Sequence, residues 1–514
     1  MRSRTGLFSL PARRRVSLLA AETFRFLNQT GLLAELGWGD IGSDSRVCAP
    51  SKLWRYNQHY FDDLNALNAE QRCEWHKALM LRWIKENQPG LGMGWDPYPV
   101  SLRVVNWVQW HLSKEQLPDA CVESLAVQTR WLMRRLEWHI LGNHLFANAK
   151  ALVFLGCFFE GDEADGWLRR GLEIIRKELA EQVLLDGGNF ERSPMYHAIF
   201  WEDLLDLINL ARAYPEVLAL KDVESWCEVS KRMQTWLDGM IHPDGEIAFF
   251  NDSAVGVAPA PEELIAYAER LDIGVHRRRT EQLLHFESSG YIRLTSPQAT
   301  AFLDVAPIGP DYLPGHAHAD SLSFELSLFG QRVVTNGGVS EYGKGVIRQL
   351  ERGTAAHSTV MVNGENSSEV WDGFRVARRA YPLGLTIRER DDCMYVSCSH
   401  DGYRRLPGKP LHQREWQWME CSLQVTDIVS RSAKNAIAFF HLHPDIDVLE
   451  SKPRRWTLML SGGRSVQIFV ESGFARLEKS YYAPEFGKRL ARACLAIELT
   501  DYRAQVRFVW EPRH

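Results

Sequence analysis

The spacing of apolar residues changes period near the middle of this 514-residue chain, and that change constrains the fold more than any other feature. Up to about residue 275 apolar positions recur every three or four residues, the repeat of a helix with one buried face. Residues 70–86 are representative: Cys73, Trp75, Ala78, Leu79, Leu81 and Trp83 stand out from a charged background. Residues 102–112, 122–141, 145–159, 167–184, 200–214 and 223–240 extend the series. Successive antiparallel helix pairs build either a solenoid or a closed (α/α) toroid, and periodicity alone does not choose between them. From about 285 the apolar runs shorten. Residues 291–294, 301–305, 323–328, 333–334, 359–362, 394–397, 423–425, 457–460 and 466–470 have β character. Gly330, Asn363-Gly364 and Gly462-Gly463 supply turns between them. This half reads as antiparallel sheets packed as a sandwich. The expected division is a helical domain over residues 1–280 and a β domain over 281–514, meeting around His276-Arg277-Arg278-Arg279.

Composition narrows the class. A net charge of −5 gives no general affinity for nucleic acid or membrane surfaces, so any basic site must be local. Nine cysteines are scattered without a Cys-x-x-Cys pair, which suits a reducing compartment better than a disulfide framework. The apolar piece at residues 16–21 is too short for a signal peptide, and no run approaches the roughly 18 apolar residues of a membrane span. The expectation is a cytoplasmic protein, with the periplasm as the alternative. The 18 tryptophans suit either sugar-binding clefts or helix-packed cores.

Chemistry-bearing residues concentrate in a few places. Gly315-His316-Ala317-His318-Ala319-Asp320 directly precedes the alternating Leu322, Phe324 and Leu326. Residues two apart in a strand point the same way, so the two histidines can project together from a loop–strand junction. Such a pair serves proton transfer or metal binding; the alternative is a histidine-rich surface loop. Asn143-His144 opens a helix, where Asn143 is also a candidate N-cap. Residues 189–197 form a polar loop entering a helix, with Glu191 in the loop and Tyr196 near the first turn. Asn336 follows a hairpin partner of the strand after His318, and Tyr342, Arg348, Arg352 and His357 come next. His318, Asn336 and His357 fall at strand ends and could converge on one divalent metal, with Asp320 as a substitute ligand or a simple anchor. Arg103, Arg348 and Arg352, with Arg375, Arg378 and Arg379, are candidates for binding carboxylates.

Taken together these residues resemble the heparinase II/III-like polysaccharide lyases, a family that includes alginate lyases. The resemblance is carried by residues 53–61, 98–103, Asn143-His144, Glu191 to His197, the His316–His318 cluster and residues 352–358. It implies an N-terminal (α/α) toroid followed by a C-terminal antiparallel β-sandwich. It also implies β-elimination at a uronic acid in an acidic polysaccharide or oligosaccharide. Abstracting the proton α to the uronate carboxylate needs a base, and the dianion that develops needs stabilisation. The family pattern assigns Asn143, with His144, to the carboxylate. Tyr196 becomes base or acid, His316 its partner, and Tyr342 a second tyrosine. Arg103, Glu191, Arg348 and Arg352 would contact substrate. A divalent metal, zinc, would be held by His318, His357 and position 336, where many relatives carry aspartate and this chain has Asn336. Family members without a secretion signal are often associated with exopolysaccharide, capsule or O-antigen assembly. Two rival readings remain: a non-catalytic glycan-binding or assembly protein, and a glycoside hydrolase. The hydrolase would draw its two carboxylates from Glu191, Asp252, Asp304, Asp311 and Asp320.

Overall fold

The computed structural model describes residues 1–39, 50–113, 115–274, 281–390 and 393–511. Two compact units are present, and neither is continuous in sequence. The first comprises Met1–Gly187, Ala198–Thr235 and Gly256–His276; the second comprises Gly188–His197, Trp236–Val255 and Arg277–His514. The expected boundary around His276 to Arg279 lies outside the described residues.

The first unit is built on helices. Gly142–Phe158 is buried around its whole circumference from Leu145 to Phe158. Asp162–Gln182 packs beside it and is amphipathic, burying Ala164, Trp167, Gly171, Ile174, Ile175 and Leu179. Acidic Asp162, Glu163 and Asp165 in its first turn complement the helix dipole. The two helices approach closely because glycines stand at the crossing. A Cβ on Gly156 would lie 2.7 Å from the Leu168 backbone, and one on Gly171 would lie 2.8 Å from Ala149 O. The helix expected over 122–141 runs only over Asp119–Met133. Glu137 N donates instead to Asn148 Oδ1 at 2.8 Å, and Leu141 takes a φ of 64°, so the chain turns where the apolar pattern continues. A three-stranded sheet, Leu18–Ala20, Thr23–Phe26 and Gln29–Leu32, precedes the helices.

The second unit holds the other sheets, and among the described residues every strand pair in them is antiparallel. Leu283–Phe286, Tyr291–Ser296, Ala299–Asp304, Phe324–Leu328 and Gln331–Val334 form a five-stranded meander. An eight-stranded sheet begins at Pro382–Arg390 and a four-stranded sheet ends on Val360–Val362. Alternation is clearest in His412–Met419, which buries every second side chain. One apolar core joins the sheets, from Ile292, Leu303 and Phe324 through Val360 and Phe440 to Trp416, Val506 and Phe508.

Trp236–Val255 joins this unit because its polar groups find their partners there. His242 meets Glu325 at 2.8 Å and Ser327 at 2.7 Å, and Phe249 N donates to the same Glu325 carboxylate at 3.0 Å. Trp236, Met240 and Phe250 share an apolar cluster with Phe286, Tyr291 and Phe302.

Candidate active site

Residues from distant parts of the sequence meet around one carboxylate of the second unit. Asp252 has no solvent exposure. Its Oδ2 lies 2.9 Å from His316 Nδ1 and 2.7 Å from one Arg348 amino group. Its Oδ1 lies 2.7 Å from His318 Nε2 and accepts from the other Arg348 amino group. The backbone closes the same knot: Asp252 N donates to His316 O at 3.0 Å, and Ser193 Oγ donates to Asp252 O at 2.5 Å. Asn251 turns the chain at φ 55°; its Oδ1 accepts from His318 N at 3.1 Å and its N donates to Asp320 Oδ2 at 3.1 Å. The two histidines do project together, but from a loop and onto the two oxygens of one aspartate.

A second layer stacks on His316. The Tyr196 ring lies 3.9 Å from the His316 ring, and its hydroxyl is 2.9 Å from that of Tyr342. Tyr196 sits in the first turn of helix Pro194–Ala213, which opens on proline, and its N–H donates to Ser193 Oγ at 3.1 Å. Tyr342 is wedged between Phe486 at 4.8 Å and Phe374 at 5.3 Å, with the Arg348 guanidinium 5.0 Å from its ring. Glu191 is buried, with a carboxylate oxygen 3.7 Å from His316 Nε2.

Burial pushes both tyrosine hydroxyls well above their usual range, so both keep their protons at neutral pH. Burial works against ionisation of Asp252, yet Arg348 and the two histidines hold its carboxyl well below the usual range. Burial lowers His318 to about 4 against the pull of Asp252, leaving it neutral. An ionised Asp252 facing a neutral His318 fixes the tautomer: Nε2 carries the hydrogen and Nδ1 the lone pair.

The metal set is incomplete. His318 Nδ1 and His357 Nε2 face each other at 3.3 Å, but Asn336 Oδ1 lies 3.3 Å from Nδ1, on the opposite edge of the His357 ring. Asn336 therefore holds the histidine from behind and does not converge with the other two. Asp320 is occupied by Asn251 N. Among the described residues no three His, Cys, Asp or Glu side chains form a metal-binding group. Two imidazoles fall short of the three or four protein ligands of a zinc site.

Three further expectations change. Arg348 and Arg352 have no solvent exposure, and their donors are taken by Asp252 and by the carbonyls of Ala317, Asp372, Gly373 and Arg375. They hold the site together and do not reach a substrate. Arg103, in the first unit, is equally buried: it donates to Gln128, His59 O and Gly94 O and stacks 3.7 Å from Trp83. Asn143 is not an N-cap; helix Gly142–Phe158 is capped at Leu141 with no side-chain bond. Its neighbour His144 is set firmly, with Nδ1 3.0 Å from Glu137 Oε1 and its ring stacked 4.3 Å from Tyr98. Sequence reasoning valued Asp252 only as a hydrolase carboxylate and missed Glu137 and Phe374. The available signal for Asp252 was a polar Asn251-Asp252-Ser253 run directly after the apolar Phe249-Phe250.

Comparison with known proteins bears on the family and the fold. The Heparinase II/III N-terminus model matches residues 70–265, and the Heparinase II/III-like, C-terminal model matches residues 278–510. A heparin-sulfate lyase of Bacteroides stercoris is 26% identical over 245 residues, covering 44% of this chain and 36% of that protein. A heparin-sulfate lyase of Pedobacter heparinus is 26% identical over 253 residues, with the same coverage of 44% and 36%. The chain thus spans about a third of the length of the curated relatives it matches. Among solved structures, the heparan sulfate lyase from Pedobacter heparinus superposes with a TM-score of 0.63 at 19% identity, over 90% of this chain and 77% of that one. A heparinase III crystal structure gives 0.70 at 18%, over 88% and 76%. These likenesses show the fold, a helical (α/α) toroid followed by an antiparallel β-sandwich. The two matched family regions together take in most of the sequence, and the chain belongs to the heparinase II/III-like family.

Proposed function

We propose that the chain is a polysaccharide lyase that cleaves a uronic-acid-containing glycan by β-elimination. The observation that carries this reading is the stack of Tyr196, bonded to Tyr342, on His316, bonded to Asp252. Asp252, ionised, accepts a hydrogen bond from His316 Nδ1, which in the neutral ring makes Nε2 the proton acceptor. Tyr196, kept protonated by burial and hydrogen-bonded to Tyr342, is a proton donor. The C5 proton passes to His316 Nε2, and the C4–O bond breaks as Tyr196 gives its proton to the leaving oxygen. The electron pair from C5–H becomes the C4=C5 double bond of an unsaturated uronate. The curated relatives are heparin-sulfate lyases, which supports an acidic polysaccharide as the substrate class.

The test is ultraviolet absorbance of the unsaturated product on a panel of heparan sulfate, chondroitin sulfate, hyaluronan and alginate. Tyr196→Phe and His316→Ala are expected to abolish it. Wild-type protein that binds these glycans without turnover would favour a binding or assembly role, and a saturated product would favour a hydrolase. The eight described cysteines form no disulfide, which supports a cytoplasmic setting, and in that setting the substrate would be the cell's own exopolysaccharide, capsule or O-antigen. Fractionation that finds the protein in the periplasm would count against that setting. Among the described residues no helix is long and apolar enough to cross a membrane.

A further inference from the structure

A small hairpin stands beside His316. Val370–Trp371 pairs with Arg375–Val376, Val370 opposite Val376 and Trp371 opposite Arg375. Val370 and Val376 pack inward with Ile308 and Ala317, so Trp371 and Arg375 face outward. The turn between the strands carries Phe374. Its ring meets His316 edge-on at 5.9 Å and Tyr342 at 5.3 Å, yet 43% of its surface stays exposed.

Lone exposed aromatics are ordinary, but this one is held in place by buried charge. Arg348 Nε donates to Gly373 O at 3.1 Å. Arg352 donates to Asp372 O and Gly373 O at 3.2 Å and to Arg375 O at 3.3 Å. Gln349 also donates to Asp372 O, and Lys344 pairs with Asp372 at 3.2 Å. Gly373 cannot be replaced without movement, because a Cβ there would come within 2.6 Å of Gly343 O. The guanidinium that grips this turn is also the one that grips Asp252, so the Phe374 ring and the imidazole it touches share one support. Such a ring, apolar, anchored through its turn and partly exposed, suits the C–H face of a sugar ring whose charged groups lie at its rim.

We infer that Phe374 is the platform on which a pyranose ring of the glycan stacks beside His316. The inference rests on the lyase reading for the identity of the ligand. On the glycan that the wild type turns over best, Phe374→Ala is expected to raise KM about tenfold with kcat within about threefold, the pattern of lost binding shared by ground and transition states. Phe374→Tyr should restore KM and Phe374→Leu should not. Trp371→Ala, on the outward face of the same hairpin, should leave both constants unchanged. An unchanged KM in Phe374→Ala would overturn the inference, as would a fall in kcat alone or an equal KM rise in Trp371→Ala. Calorimetric titration of Tyr196→Phe protein with heparan sulfate and alginate oligosaccharides, with and without Phe374→Ala, separates the two readings. Phe374-dependent binding without any wild-type turnover would sink the lyase and keep the platform. Turnover that ignores Phe374 would do the reverse.

Discussion

Replacing Asp252 by asparagine keeps the shape of the side chain and removes its charge, and the structure gives two separate consequences. The first is stability. Asp252 and Arg348 are both without solvent exposure and form a bidentate pair. Removing one partner of a buried ion pair leaves the other uncompensated, at a cost of about 3–5 kcal/mol. The amide also offers hydrogens where the carboxylate received them from Arg348, His316 and His318, so at least one donor must face another. The second consequence is activity. Without a carboxylate to demand the Nδ1 hydrogen, His316 is free to carry it on Nε2 and stop being a base. In the serine protease triad the same exchange lowers kcat by about 10⁴, so a fall in kcat/KM of roughly 10³ to 10⁴ is expected here. Urea unfolding followed by tryptophan fluorescence measures the first effect, and ultraviolet product formation measures the second. Arg348→Met added to Asp252→Asn should recover part of the stability, because the stranded cation is gone, but none of the activity. An Asp252→Asn protein within tenfold of wild-type kcat/KM, or destabilised by less than about 1 kcal/mol, would refute the reasoning.

Glu137→Gln removes the carboxylate that orients His144, so its pH–rate profile should change shape while the unfolding midpoint moves little; an unchanged profile would make Glu137 a packing residue only. His242 is fully buried and lowered to about 4 by burial with Arg332 nearby. The unfolded chain therefore binds its proton first as pH falls from 6.5, and stability is lost between pH 6.5 and 4 by about 3 kcal/mol from this group. His242→Gln should flatten the stability curve in that window, and an unaltered slope would count against it. Metal-free folding is expected from the incomplete His318–His357–Asn336 set: dialysis against a chelator should leave the unfolding midpoint unchanged, and stoichiometric zinc in the purified protein would contradict this.

Period and polarity made much of the architecture legible. The helix at 145–159, mostly apolar, and the strand at 323–328, buried along its length, need no distant partner to be recognised, because local spacing dictates which faces must leave water. Tyr196 in a helix's first turn and the joint projection of His316 and His318 are local facts of the same kind. Other features depend on what a segment meets. The pattern at 134–141 reads as helix, yet Asn148 claims the backbone of Glu137 and the helix stops. Trp236–Val255 lies among helical sequence and joins the β unit because Glu325, buried on a strand, is the partner for His242 and Phe249 N. Arg103, Arg348 and Arg352 look alike in a sequence as candidate anion ligands. Only the folded chain shows that their donors are consumed by internal carbonyls and Asp252, since a guanidinium's role is set by whichever acceptors surround it. The sequence by itself determined the family and the two textures. The tertiary structure alone decided that one aspartate, 64 residues from His316, orders both histidines, because a buried charge must find its counter-charges in space, wherever they stand along the chain.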